Sequence, residues 1–362
     1  MQIGSEFQLE FEECSIKDNN LQTYLKEYET LYVDSGRSAI NLISHMIGEG
    51  EILVPAYACV SVMYSFKRNI QPVYYKVDTS FQPDLEDLEN KITKRTKAIF
   101  LMHYWGKLLP TEILEKFQIL KEKYALLIIE DTTQSIFSAR ETIGDYMLCS
   151  LRKWFAIPDG GVIYSKKTLA PIEAGDIKEA GIDRKAYIMA LKTQYLRQEL
   201  DSREYCDSQF AAIEEQLNER GYKQENCYMS DLTYFLLSCQ DILQLIQKRQ
   251  ENAKTLQHEL ISIPEVRPVY DAYGASDCPF MLSFYVERRD ELRKELFTKD
   301  ICTCVLWFVY KTELIYFETS AQMAGDIIQL PIDQRYTKKQ MKLIAEAIRS
   351  FYAGIKGKEG IL

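Results

Sequence analysis

Residues 98–131 read AIFLMHYWGKLLPTEILEKFQILKEKYALLIIED. Ala98–Met102 is an apolar run with the length and composition of a strand covered on both faces. Thr111–Tyr124 carries apolar residues at helical spacing, and Leu126–Ile129 is a second apolar run, stopping at Glu130–Asp131. Two buried strands joined through a helix run parallel, and such crossovers are right-handed. Upstream the tempo is the same. Ser38–Ile47 (SAINLISHMI) reads as a helix, Glu51–Val54 (EILV) as a strand stopped by Pro55, and Val60–Arg68 as a helix. Gln71–Val77 reads as a strand and Leu85–Ile92 as a helix with acidic first turns. The spacing predicts an α/β fold with a mostly parallel central sheet and helices on both faces.

Downstream the text changes. Residues 168–245 have helical periodicity, many charges and little strand signal. Arg249–Ile261 reads as a helix leading into a last segment, with strands at Met281–Val286 and Thr303–Val309 and helices at Asp290–Phe297 and Thr337–Tyr352. The expected organisation is a large domain over 1–245, with 1–30 as an N-terminal extension and 168–245 as a helical region, followed by a smaller α+β domain over 246–362.

The 362 residues are 46% hydrophobic and 27% charged, enough for a sizeable core, which excludes wholesale disorder. With 44 basic and 53 acidic side chains the formal charge is −9, which argues against nucleic acid or an anionic membrane as the main partner. Nine cysteines are scattered without CxxC spacing and read as reduced thiols of a cytoplasmic protein. Three dispersed histidines make a catalytic metal site unexpected. The N-terminal stretch lacks a hydrophobic signal core and no apolar run reaches membrane-spanning length.

In an open parallel sheet, ligands collect at the carboxyl ends of strands, and four features fall there. Asp131 ends LLIIED; it is either a helix N-cap or a carboxylate that holds a proton on a heterocyclic nitrogen. Lys153 lies among apolar and aromatic residues in Cys149–Gly161 (CSLRKWFAIPDGG). Desolvation there would free its amine for Schiff-base chemistry, and a snorkelling strand-edge lysine has the same composition. Ser35–Ser38 (SGRS) opens a helix, where backbone amides and the dipole seat a phosphate or the serine simply caps; Ser150 could add a hydroxyl or be a turn residue. His103, in HYWG after a strand, is a ligand-facing or a structural histidine.

Taken with VPAYAC (Val54–Cys59), IIEDTTQS (Ile128–Ser135), GDYMLCSLRKWFAIPDGG (Gly144–Gly161), RQEN (Arg249–Asn252) and LPIDQRYT (Leu330–Thr337), these segments resemble the DegT/DnrJ/EryC1/StrS aminotransferases over most of the chain. The resemblance implies a fold-type I enzyme dependent on pyridoxal 5'-phosphate, a homodimer with a shared active site. It implies that Lys153 forms the Schiff base and shuttles protons, that Asp131 pairs with the pyridine nitrogen, and that Gln134 approaches the 3-hydroxyl. Gly36, Arg37 and Ser150 would cup the phosphate. Cys59 stands where many relatives place a ring-stacking aromatic, leaving Tyr57 or His103 to cover that face. Two further departures are the compact Ser150-to-Lys153 spacing and a Pro-Asp-Gly-Gly turn in place of Gly-Glu-Gly-Gly.

The reaction so implied moves an amino group from glutamate or glutamine to a keto-sugar, nucleotide-linked; Arg335 is either an anion contact or a structural salt bridge. The alternatives are a fold-type I enzyme acting on an amino acid, as aminotransferase or lyase, and a non-catalytic member. An amino-acid substrate calls for an arginine clamp, for which Arg267, Arg288, Arg289 and Arg335 are available.

Overall fold

The computed structural model describes residues 2–9, 14–66, 69–138, 142–169, 179–201, 227–307 and 318–359. A short helix α1 (Leu21–Tyr24) precedes β1 (Glu29–Val33) and α2 (Gly36–Ile47). Ser35 caps α2 by accepting the Ser38 N–H at 3.2 Å, and Gly48 closes it with φ 90°. The alternation then runs β2 (Gly50–Pro55), α3 (Val60–Ser65), β3 (Ile70–Tyr75), α4 (Leu85–Asn90), β4 (Thr96–Met102), α5 (Thr111–Tyr124) and β5 (Leu127–Asp131). It ends with β6 (Tyr146–Cys149), a 3-10 turn over Leu151–Lys153, and β7 (Gly161–Ser165).

These strands form one sheet in the order β1-β7-β6-β5-β4-β2-β3. From β3 to β6 every pairing is parallel, while β7 runs antiparallel to both β6 and β1. In β4 only Lys97 is exposed, as expected of a strand covered on both faces. The parallel frame is therefore the one read from residues 98–131. Strands β1, β6 and β7 add an edge that the periodicity did not announce.

The helical region contributes α6 (Glu179–Leu196) and α7 (Asp231–Ser238); residues 202–226 lie outside the described residues. Next comes α8 (Ile242–Leu260), which is longer than expected and joins two cores. Its first turns place Ile242 and Leu245 in the core cluster that also holds Trp154 and Phe155, and its last place Ala253, Leu256 and Leu260 in a second cluster with Leu282, Phe284 and Ile328. Beyond it, β8 (Val266–Pro268), β9 (Leu282–Val286) and β10 (Ile327–Leu330) form an antiparallel sheet in the order β10-β9-β8. Helices α9 (Arg289–Thr298), α10 (Glu318–Asp326) and α11 (Lys338–Glu359) complete the chain.

The strand expected over Thr303–Val309 is not formed in its described part, 303–307. That segment changes partners. Cys302 N–H bonds Ile3 O at 2.7 Å, Cys304 bridges Gln329, and Leu306 N–H is taken by the Gln329 side chain at 2.7 Å. No ladder can continue through a strand whose successive donors go to different partners. Among the described residues no helix is long and apolar enough to cross a membrane, and the eight described cysteines are free thiols.

Candidate active site

Asp131 is the last residue of β5, flanked by Met102 of β4 and Leu148 of β6. Its carboxylate is buried and accepts the Thr133 N–H at 2.8 Å. Burial pushes its pKa above the ordinary aspartate range, opposed by the Thr133 hydrogen bonds and by the positive charge of Lys153. Asp131 and Lys153 thus lie within electrostatic reach of one another. Lys153, at the end of the 3-10 turn, is exposed in the single chain, so the desolvation expected of it is a correction to make. The reason is local: its apolar neighbours Trp154 and Phe155 turn inward to the core, and the amine is left outside.

A cup forms where α2 begins. Gly36 is buried so closely on Ser150 that a Cβ would lie 2.9 Å from the serine Cβ. A Cβ on Gly161 would lie 2.5 Å from the Ser35 carbonyl carbon, and Gly160 N–H bonds Asp34 O at 2.5 Å. The antiparallel start of β7 therefore presses the helix N-terminus against the lysine turn. First-turn amides have no intrahelical acceptor, and the dipole favours an anion there. Ser35, Ser150 and the start of α2 are the groups that could hold a phosphate; Arg37 is exposed at the rim.

Asp159 locks this arrangement from the other side. Its buried carboxylate accepts Ser230 N at 2.8 Å, Ser230 Oγ at 2.6 Å and the Thr233 hydroxyl, seating the first turn of α7 on the Pro158–Gly161 turn. The aspartate in the Pro-Asp-Gly-Gly departure thus has a partner of its own.

Gln134 is buried, and its Oε1 accepts the Trp105 N–H at 2.7 Å. Because a backbone amide can only donate, the acceptor end of Gln134 is fixed and Nε2 remains the donor end. That contact holds Trp105 in the left-handed region (φ 59°), in the turn where HYWG leaves β4. The Trp105 indole stacks on Trp307 with centroids 5.9 Å apart.

His103 lies elsewhere. Its Nδ1 accepts the Leu109 N–H at 3.1 Å and its Nε2 donates to Glu130 at 3.1 Å, with both side chains buried. Neighbouring residues of a strand face opposite ways, so a histidine on Glu130 is on the face away from Asp131. Tyr57 is fully buried, its hydroxyl bonded to Leu306 O at 2.5 Å and its ring among Phe81, Tyr104 and Trp307. Cys59 precedes α3 with its thiol 3.0 Å from the Ser61 hydroxyl. Arg335 makes a two-pronged bond to Asp333 (2.7 and 2.9 Å) and donates to the Ser5 and Glu6 carbonyls, so it braces the N-terminal segment.

The model of the DegT/DnrJ/EryC1/StrS aminotransferase family matches residues 10–349. The chain belongs to this family. A GDP-perosamine synthase from Escherichia coli O157:H7 is 25% identical over 340 residues, covering 89% of the chain and 85% of that protein. One from Vibrio cholerae is 27% identical over 171 residues, spanning 44% of the chain and somewhat under half of that relative, at 46%. The fold matches DesV of S. venezuelae, solved with a ketimine intermediate, at TM-score 0.65 and 17% identity, covering 91% and 86% of the two chains. It also matches the sugar aminotransferase Spr1654 from Streptococcus pneumoniae in its PLP form, at TM-score 0.64 and 16% identity over 91% and 88%. The central sheet is accordingly that of fold-type I aminotransferases.

For an aminotransferase of this family, sequence reading missed the residues that hold the site residues in place. Thr133, Trp154, Gln334 and Arg249 are among them. RQEN and LPIDQRYT had marked two of the segments, and only the fold shows that they meet. Asn252 of the first donates to the Ile332, Asp333 and Tyr336 carbonyls of the second.

Proposed function

We propose that this aminotransferase uses pyridoxal 5'-phosphate to move an amino group from glutamate or glutamine to a nucleotide-linked keto-sugar. The observation that carries the reading is the buried Asp131 carboxylate within electrostatic reach of the Lys153 amine, together with a cup too tight for any residue but glycine at 36 and 161. When bound, the cofactor supplies an electron sink, and every other task falls to the chain. Lys153 is the amine that would hold the cofactor covalently and serve as the general acid and base for the proton of the substrate's amino-bearing carbon. Asp131, buried and facing no other cation among the described residues, keeps a proton on the ring nitrogen. Ser150, Ser35 and the first turn of α2 hold the phosphate, and the Gln134 amide is the donor available to the ring's oxygen substituent. Trp307, half-buried and stacked on Trp105, is the aromatic best placed to wall the site, in place of Tyr57 and His103.

The substrate class rests on the relatives, two of which are named GDP-perosamine synthases. The arginines weigh against an amino-acid carboxylate. Arg289 donates to Asp290 and to the Ala324 and Ile327 carbonyls, Arg288 pairs with Glu291, and Arg267 lies 4.6 Å over the Tyr285 ring. A homodimer sharing the site is supported by exposed Tyr228, Tyr234 and Phe235, beside the α7 turn that Asp159 seats on the cup. Free thiols in every described cysteine suit a cytoplasmic location.

The test is the visible spectrum of the reconstituted protein. Addition of glutamate is expected to replace the cofactor band with that of its aminated form, and a panel of nucleotide keto-sugars then reverses it. A protein that binds no cofactor sinks the proposal in favour of a non-catalytic member; reversal by amino-acid keto acids alone assigns it to amino-acid chemistry.

A further inference from the structure

Arg249 of α8 is 1% exposed, and a charge so deeply buried is costly to keep unless its contacts do something that apolar packing would not. Its guanidinium lies 4.4 Å over the Trp154 ring, the residue after Lys153. It donates to Phe280 O at 2.8 Å and to the Gln334 side-chain carbonyl at 3.0 Å. Gln334 in turn donates from its amide to the Trp154 carbonyl at 2.7 Å. Trp154 is therefore held on its ring face and at its backbone by residues from the small domain and the helix leading into it.

The same tryptophan reaches the other way. Its indole N–H bonds Thr133 O at 2.8 Å. Thr133 donates its backbone N–H to Asp131 at 2.8 Å and accepts the Ser150 N–H on its hydroxyl at 3.1 Å. One chain of contacts thus runs from Arg249 and Gln334 through Trp154 to Thr133, where it meets Asp131 and Ser150. Lys153 is exposed, and its backbone N–H bonds Ser150 O at 3.2 Å; its side-chain charge acts on Asp131 and on the thiol of Cys304.

We infer that Arg249 and Gln334 are positioning residues for Lys153: by fixing Trp154 they set where the lysine amine stands relative to Asp131. The inference rests on the reading of Lys153 as the cofactor-bearing amine. It assigns the C-terminal region a part in the chemistry, because the lysine's approach depends on how that region is seated.

The test uses the full-length, cofactor-loaded protein. Borohydride reduction and peptide mapping first locate the attached lysine. The pH midpoint of the cofactor's visible band is then compared among the parent, Gln334→Leu, Trp154→Phe and Leu292→Ala, the last a small-domain core change outside the network that lowers Tm on its own. Gln334→Leu and Trp154→Phe are expected to move the midpoint by about half a pH unit or more, a roughly threefold change in the proton equilibrium, while Leu292→Ala leaves it at the parent value. Midpoints alike in all four, with the adduct at Lys153, overturn the inference and leave the proposed function standing. An equal shift in Leu292→Ala reduces the network to general packing and overturns it too. A parent protein with its adduct elsewhere overturns the reading of Lys153 and this inference together.

Discussion

Glu130 and Asp131 are consecutive carboxylates at the tip of β5, and the two faces of the sheet use them in opposite ways. Glu130 accepts from His103 and from the Ile143 and Gly144 amides at 3.0–3.2 Å, so it is a satisfied structural group. Asp131 accepts only from Thr133 among the described residues and feels the positive charge of Lys153. Burial is common to both; satisfaction is what separates them. A carboxylate whose hydrogen-bonding capacity is filled by the fold is committed, whereas one left partly unfilled is available to a ligand.

That contrast can be broken most directly at its positive end. Lys153→Ala is expected to lower transamination by roughly 1,000-fold or more and to leave the Tm of the cofactor-free protein unchanged, because the side chain is exposed. Single-turnover kinetics and a melting curve check both. Asp131→Asn should lower activity at least ~100-fold while raising the Tm of the cofactor-free protein at pH 7 by roughly 2–4 °C. The sign follows from the raised pKa: the unfolded carboxyl ionises at its ordinary value, the folded one only higher, so ionisation penalises the folded state as pH rises through that window. Melting curves should show the gain fading as pH falls through the raised value of the folded carboxyl, and gone once pH is below the ordinary aspartate range.

Gly161→Ala tests the cup. With a Cβ 2.5 Å from the Ser35 carbonyl carbon, α2 must move, and cofactor affinity measured by equilibrium dialysis should fall about tenfold. Glu130→Gln is expected to leave kcat near the parent value and to cost about 1–3 kcal/mol in denaturant unfolding. A large kcat loss in Glu130→Gln without a stability loss would dissolve the distinction between the two carboxylates.

The legible part of this molecule was the part whose signal is local. Helix α5 and strand β4 stand where their periodicity put them, because a buried parallel strand must be apolar throughout. Strands β1, β6 and β7 are short, and β1 finds its partner β7 far away in sequence, so nothing near β1 reports that pairing. His103 illustrates the hazard at strand ends. One residue of register decides whether a side chain meets Asp131 or Glu130, and composition is blind to that parity. The bond from Gln334 to Trp154 spans 180 residues, beyond any window of sequence reading. Asp131 and Lys153, by contrast, lie in segments the sequence marked, Asp131 at a strand end as expected, though the lysine's exposure was not legible.

The reversed strand β7 has one more consequence. Because it returns beside β6 without a crossover, the segment bearing Lys153 is a short connection anchored at both ends inside the sheet, from Ser150 to Gly160. It is also tied across its own ends, Leu151 N–H to Gly160 O at 3.1 Å, and within its turn, Trp154 N–H to Leu151 O at 2.9 Å. In hydrogen-exchange terms these amides are expected to be better protected than those of an unbonded loop, although the lysine amine beside them is open to solvent.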